Sequence, residues 1–453
     1  MLQAGASIVT ITPPLGTPMA GFFHYREAET VADELTARTV VLDDGTTRLA
    51  LVVCDLISLK AETVTAARNR IIERHGIPAE CIMIACTHTH TGPVTSENRG
   101  VQPDRAYMDW LTTRIADGVG IACSRLVPAR VSYGAADVQG ICFNRRFRMR
   151  DGTVVFNPGI GNPDILEPAG PTDPEVTALL VEDEAGRPIA LWACLSTHYV
   201  GTDQERAISA DYYGDFARVI ERCLGDQCVG MLANGTSGNI NTIDVQQSVR
   251  LKGTARARLV GTAVAAAAVQ GAMMSQRLDE VALEAESFPL TIARWQITPE
   301  DITLAEAILA QPAETEPEPA AGFSYVVGQP IPGSQVRSYA SAVSQLAQMP
   351  SEGETELQVM RIGDLALVVL PGEIFVEFGL AIKAQAPFDQ VAVVGLANDH
   401  IGYVPTEEAF RQGGYETWRT ASSWSAPGTG EAMTEAVLAR LQDLRQRASI
   451  STV

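Results

Sequence analysis

Hydrophobic positions in this chain fall in short, nearly continuous runs bounded by Gly, Pro, Asn and Asp, and these runs alternate with longer stretches of helical period. Residues 5–12 read as a strand closed by Pro13-Pro14, and the runs 36–42 and 48–55 flank Asp43-Asp44-Gly45-Thr46, a hairpin signal. Residues 61–75 carry an amphipathic helical pattern stopped at Gly76-Ile77-Pro78. A helix is predicted over 107–123, strands over 129–133, 176–181 and 188–194, a helix over 211–224 with Ser209 as its N-cap, and a strand over 227–233. The remainder predicts an Ala-rich helix over 252–270, strands at 287–297, 356–362, 365–370 and 391–397, and a helix near 339–348. Two stretches lack either period: residues 140–175, read as a long ordered loop of the kind that carries function, and the acidic, Pro-rich segment 312–335, read as a surface loop or flap. With no internal repeat and no linker, the pattern predicts one large α/β (α+β) domain over residues 1–453, with mixed β-sheets flanked by helices.

The run Cys81-Ile82-Met83-Ile84-Ala85-Cys86 reads as a fully buried strand that passes directly into Thr87-His88-Thr89-His90-Thr91 before Gly92-Pro93 ends it. Side chains alternate along a strand, so a continued extended backbone sends His88 and His90 out on the same side. The strand ending at Leu195-Ser196-Thr197-His198 repeats this pattern. Four of the six histidines (His88, His90, His198, His400) follow buried strands, as does Glu373. Ligands of α/β proteins collect outside strand ends, and a catalytic zinc takes about three protein ligands plus an open position. His88, His198 and Glu373 supply such a set, and a helix start expected at Glu373 favours its ionised form. The plainer alternatives are histidines bonded to loop carbonyls and a glutamate that serves only its helix. Asp211 is either the carboxylate behind a metal-bound imidazole or a helix cap. Arg145, Arg146, Arg148 and Arg150 are four arginines in six residues; they are either a solvated basic stripe or, as an acidic chain favours, a site for an anionic or carbonyl-bearing substrate.

Composition narrows the partners. A formal net charge of −20, with no basic run beyond the arginines at 145–150, argues against a nucleic-acid partner and favours a small-molecule substrate. The first twenty residues contain no Lys or Arg and do not make a secretory signal. The most apolar long stretch, Leu259 to Met274, is interrupted by Gly261, Thr262, Gln270 and Gly271 and is too short for membrane insertion. Eight cysteines, mostly inside apolar runs and without a CxxC pair, predict reduced thiols in a cytoplasmic protein.

Taken together, Thr87-His88-Thr89-His90-Thr91-Gly92-Pro93, Ile208-Ser209-Ala210-Asp211-Tyr212, the Gly-rich run through Gly238, Pro371-Gly372-Glu373, and Gly402-Tyr403 followed by Glu407-Glu408 and Tyr415 resemble the catalytic domain of the neutral/alkaline non-lysosomal ceramidases. The loop from Asn144 to Gly152 is similar to that of an uncharacterised bacterial branch of the superfamily. The resemblance covers essentially the whole chain and implies that Zn2+ is held by His88, His198, Glu373 and Tyr403. It further implies catalytic roles for His90, beside the metal, and Tyr415, at the scissile group, and a place in the substrate pocket for Arg145. Arg146, Asn239 and Asn241 complete the expected substrate-binding set. Two departures stand out. Where the ceramidases read Gly-Asp-Val-Ser-Pro-Asn, this chain has Gly238-Asn239-Ile240-Asn241-Thr242, so Asn241 takes the place of the serine and no serine-dependent step is expected. The chain also leaves no room for an immunoglobulin-like C-terminal domain, which argues against a long-chain membrane sphingolipid.

The resulting expectation is a cytoplasmic zinc-dependent hydrolase that cleaves an amide bond, or an ester or lactone, in a small polar molecule through a zinc-activated water. His90 would carry the proton to the leaving group. The alternatives are a true ceramidase or other lipid N-acyl amidase, and a non-catalytic metal-binding or ligand-sensing protein.

Overall fold

The computed structural model describes residues 1–451 except 98, 99, 247–250, 279, 280, 321, 324 and 325, and side chains as far as 447. Eight strands form the larger sheet: β1 (Gln3–Thr10), β2 (Thr36–Asp43), β3 (Arg48–Cys54), β4 (Ile82–Cys86), β5 (Val127–Asp137), β6 (Glu175–Asp183), β7 (Pro188–Leu195) and β8 (Val229–Asn234), in the order β8-β7-β6-β5-β1-β2-β3-β4. Its interior pairs are antiparallel and both edge pairs, β3–β4 and β7–β8, are parallel. A parallel pair needs a crossover. Helix α1 (Ala61–His75) supplies it for β3–β4, and α3 (Asp211–Leu224) for β7–β8; α2 (Arg105–Ser124) lies between β4 and β5 in the chain.

The smaller sheet holds β9 (Leu283–Ala293), β10 (Glu352–Ile362), β11 (Leu365–Val369) and β12 (Gln390–Val394) in sequential order. Its one parallel pair, β11–β12, is joined by α7 (Val376–Gln385), and α4 (Gly253–Met273), α5 (Pro299–Leu309) and α6 (Gly333–Leu346) precede it. The two sheets face each other across one apolar cluster that takes Leu179, Trp192 and Met231 from the larger sheet and Met360, Leu367 and Val394 from the smaller. Helices α2, α3 and α4 cover the outer face of the larger sheet, and α7 with α8 (Thr429–Ser451) cover that of the smaller, giving four layers. Helix α3 shows why the pattern was readable: Tyr212, Tyr213, Phe216, Ala217 and Ile220 recur at helical spacing and all are buried.

Three sequence expectations need correction. The stretch 140–175 is not loop throughout: Arg146–Met149, Val154–Phe156 and Ile165–Pro168 make a three-stranded sheet, and Phe143–Asn144 pairs with Ile240–Asn241. Strands of two to four residues are too short to display a period. Ser209 lies one residue before the N-cap Ala210, although its Oγ still accepts from the Asp211 N–H at 3.0 Å. Glu373 does not open a helix: it sits in the two-residue strand Glu373–Ile374, and α7 begins at Val376. Within 312–335, Phe323, Val326 and Ile331 are buried against α5 and α6. Six of the eight cysteines are buried and none is in a disulfide, and no helix among the described residues is long and apolar enough to cross a membrane.

Candidate metal centre

The ends of four strands are stitched together by backbone hydrogen bonds. The Cys86 N–H donates to Leu396 O at 3.0 Å, Leu396 N–H to Gly372 O at 3.0 Å, and Gly395 N–H to Asn234 O at 2.9 Å. The segments that follow β4, β8, β11 and β12 therefore leave the two sheets at one place, with the end of β7 tied in through Gly235 N–H to Leu195 O at 2.9 Å. His88, His198, Ser237, Glu373 and His400 all lie just beyond these ends.

The extended continuation expected at His88 does not occur. Its φ is +68°, a left-handed conformation that costs a non-glycine residue roughly 1–2 kcal/mol, and such strain is retained mainly at functional sites. The kink still delivers both rings to one place, with His88 and His90 centroids 4.7 Å apart and His88 and His198 5.0 Å apart. Three carbonyls then fix three tautomers. His88 Nδ1 meets Ile57 O at 2.7 Å, His90 Nδ1 meets Gly21 O at 2.8 Å, and His198 Nδ1 meets Ser237 O at 2.7 Å. A carbonyl only accepts, so each Nδ1 carries a proton, and in the neutral ring each Nε2 presents a bare lone pair.

Those lone pairs meet a carboxylate. His198 Nε2 lies 3.1 Å and His88 Nε2 3.4 Å from the same Oε2 of Glu373, and all three side chains are buried. His88, His198 and Glu373 each offer one donor atom within 4.8 Å of the others. His88 Nε2 and His90 Nε2 have no hydrogen-bond partner although both atoms are buried. Burial, then the Arg145 charge, pushes His198 down to about 4, so it is neutral near pH 7. Burial alone would raise Glu373, but the histidines packed around its carboxylate, His88 first, hold it well below the usual carboxylate range. Two imidazole nitrogens and a carboxylate oxygen buried this close together could hold a metal ion.

Tyr403 reaches this group because Tyr403–Val404 pairs in parallel with Glu373–Ile374, residue opposite residue. Burial and the Glu373 charge push its phenol well above its usual value. The Gly-rich run fits closely here: a Cβ at Gly238 would lie 2.4 Å from Glu373 O. His400, one of the four strand-end histidines but given no role from sequence, places its buried Nε2 3.6 Å from Glu373 Oε1, beyond hydrogen-bond distance.

The other predicted residues are distributed differently. Asp211 touches no site imidazole: its carboxylate accepts from the N–H groups of Val200 at 3.2 Å, Gly201 at 2.7 Å and Tyr212 at 2.6 Å. It holds the backbone just past His198 rather than the ring. Of the four arginines expected to extend toward substrate, Arg148 and Arg150 are exposed, whereas Arg145 and Arg146 are buried on the fully enclosed Glu416: Arg145 Nε and Arg146 Nη1 each lie 2.9 Å from one of its two oxygens. Arg146 spends Nη2 on Gly413 O at 2.7 Å, which makes it structural, and Arg145 spends Nη2 on Gly238 O at 2.6 Å. Arg145 stays beside the site, its guanidinium 5.4 Å from the centre of the Tyr403 ring. Asn239 and Asn241 are each bonded within the protein at both ends of the amide. Asn239 caps α7 through the Val376 N–H and donates to Glu377, both at 2.9 Å, while Asn241 bonds Asn157 and the Ile243 N–H, also at 2.9 Å. The Tyr415 ring lies 5.6 Å from that of Tyr403.

Sequence reasoning missed an aromatic rim. Tyr199 stacks on His90 at 3.7 Å, Phe22 approaches Tyr199 at 6.4 Å, Phe23 approaches Tyr415 at 5.8 Å, and Phe156 approaches Tyr415 at 5.1 Å between centroids. The signals were present in Tyr199 directly after His198 and in the consecutive pair Phe22-Phe23.

Neither a family model nor a curated protein sequence matches the chain. Solved structures do. The neutral ceramidase from Pseudomonas aeruginosa superposes with a TM-score of 0.71 at 20% identity, over 98% of this chain and 75% of that one. A ceramidase complexed with C2 superposes with a TM-score of 0.73, again at 20% identity and over the same shares of the two chains. The fold implied by the sequence resemblance is therefore the fold observed, and by architecture this chain is similar over nearly its whole length to neutral ceramidase.

Proposed function

We propose that this protein is a zinc-dependent hydrolase of an amide bond in a small-molecule substrate. One observation carries the reading: buried His88 and His198 bring their Nε2 atoms within 3.4 and 3.1 Å of the same Glu373 oxygen. Zinc bound there would lower the pKa of a coordinated water to about 7 and polarise the scissile carbonyl. His88, His198 and Glu373 would hold it, with Tyr403 beside Glu373 as the fourth group.

The chain's own residues then have separable tasks. The carbonyls of Ile57 and Ser237 keep the two ligand rings in one tautomer and orientation. His90, its Nδ1–H on Gly21 O and its Nε2 buried without a partner, takes a proton at Nε2 and returns it to the leaving nitrogen. Burial, with the nearby His88 and His198, lowers its pKa well below the usual value, so it starts neutral and gives the proton up readily. Tyr415, its ring 5.6 Å from that of Tyr403, would donate its phenol O–H to the substrate carbonyl. Asn241 is tied to the protein through both ends of its amide and offers no nucleophile, which leaves water as the attacking group.

The arginine argument for a polar substrate loses its support once Arg145 and Arg146 are spent on Glu416, and the aromatic rim favours apolar contact. That rim and the fold likeness to ceramidase favour a second reading, a lipid N-acyl amidase. Six thiols buried in apolar packing suit a reducing compartment such as the cytoplasm. The test is turnover of a panel of N-acyl amides, esters and lactones by zinc-loaded protein. Hydrolysis should vanish with a chelator, return with Zn2+ and fall by orders of magnitude in Glu373→Gln. Turnover indifferent to both the chelator and Glu373→Gln would overturn the proposal.

A further inference from the structure

The chain between β1 and β2 forms a hairpin that ends over the metal centre. Its stem is hydrogen-bonded, Ala28 N–H to Thr17 O at 3.0 Å and Met19 N–H to Arg26 O at 2.9 Å, and it is tied to the histidine strap by Ala20 N–H to Gly92 O at 3.0 Å. The tip begins at Gly21, whose φ of +97° suits glycine and whose missing Cβ would lie 2.5 Å from His90 Cβ. Here the backbone presses on the ring whose Nδ1 it holds.

The next two residues span the opening. Phe22 turns toward Tyr199, the ring stacked on His90, and Phe23 turns toward Tyr415, the ring next to Tyr403. Beneath them Arg26, only 2% exposed, lies 3.8 Å under the Phe22 ring and donates to His90 O at 2.8 Å. The tip is therefore braced from below and pre-organised. Phe23 nevertheless leaves 46% of its surface in water at the mouth of the site, an exposure of apolar area that a bound apolar group would remove.

Resting on the hydrolase reading above, we propose that Phe22 and Phe23 are the specificity residues of this site and that its substrates carry a flat aromatic group on the acyl side of the scissile bond. The reason is geometric. Rings that already meet at 60° and 82° across the two walls offer edges and faces at once, and such contacts favour an aromatic guest over a saturated chain of equal area. Both pairs adjoin the metal-binding group, Tyr199 stacked on His90 at 3.7 Å and Tyr415 5.6 Å from Tyr403, so a substituent of a carbonyl bound there has aromatic rings on two sides.

Two metal-chelating probes separate this proposal from the reading beneath it. Benzohydroxamate and acetohydroxamate share the zinc-binding head and differ in the ring. Titration calorimetry on the zinc-loaded full chain should find benzohydroxamate tighter by about tenfold or more, with that ratio falling toward one in Phe23→Leu and surviving in Phe23→Tyr. Phe22→Leu provides the same test on the other wall. An unchanged ratio in both leucine variants, or no preference in the parent protein, overturns the aromatic specificity while leaving the metal centre intact. Failure of both probes to bind zinc-loaded protein overturns the metal reading and this proposal with it.

Discussion

Glu416→Gln is the most informative single substitution for the fold around the site. Glu416 has no solvent exposure, and its two oxygens each take a guanidinium at 2.9 Å, from Arg145 and Arg146, both themselves buried. Glutamine keeps the shape and removes the charge, which leaves two buried cations with only carbonyl acceptors such as Gly238 O and Gly413 O. Removing one partner of such a buried network costs about 3–5 kcal/mol, because the remaining charge cannot recover its hydration. For a chain of 453 residues that is a fall in Tm of roughly 3–5 °C. The pH dependence has a defined sign. Burial alone would raise the Glu416 pKa, but Arg145 and Arg146 hold it below the usual carboxylate value, while in the unfolded chain it titrates near about 4.3. Its contribution is thus complete above that unfolded value and disappears as pH falls through the lower, folded one. Differential scanning calorimetry from pH 7 down to pH 3 should find the full gap between parent and variant at neutrality and a narrowing gap in acid. A variant within about 1 kcal/mol of the parent at pH 7, or a gap that widens on acidification, refutes the reasoning.

Three other outcomes follow from the same geometry. Arg145→Lys should lose about 1.5–3 kcal/mol in urea denaturation, because an ammonium cannot serve Glu416 and Gly238 O together; unchanged stability would return Arg145 to a purely substrate-facing role. Asp211→Asn should weaken the grip on the Val200 and Gly201 N–H groups and reduce metal affinity about tenfold through His198, read by competition with a fluorescent chelator; equal affinity would leave Asp211 a plain helix-start residue. Gly21→Ala should cut kcat about tenfold or more at unchanged metal content, since the new methyl displaces His90; full activity would mean that His90 is not held by this hairpin.

The large apolar elements were legible because burial imposes a period: the bounds of α1 and α3 read from sequence coincide with those observed, and β4 was visible as an unbroken apolar run. The convergence of His88, His198 and Glu373 was legible from a simpler regularity, polar residues placed directly after buried strands. What sequence hid was every assignment that depends on a distant partner. Arg145 and Arg146 looked like substrate-binding residues because Glu416, some 270 residues away in the chain, gives no local sign of claiming them. Asn239 and Asn241 looked available because the N–H groups they satisfy belong to α7 and to the turn at Ile243. The left-handed turn at His88 was invisible for the opposite reason, since nothing in Thr-His-Thr-His distinguishes a kinked backbone from an extended one.

The metal centre is the claim on which the functional account depends, and native mass spectrometry of chelator-stripped protein titrated with Zn2+ tests it most directly. The account predicts one tightly bound ion per chain in the parent, and loss of that ion in His88→Ala, His198→Ala and Glu373→Gln at an unchanged circular dichroism spectrum. A folded parent that takes up no zinc, or a Glu373→Gln variant that binds it as tightly as the parent, would contradict it.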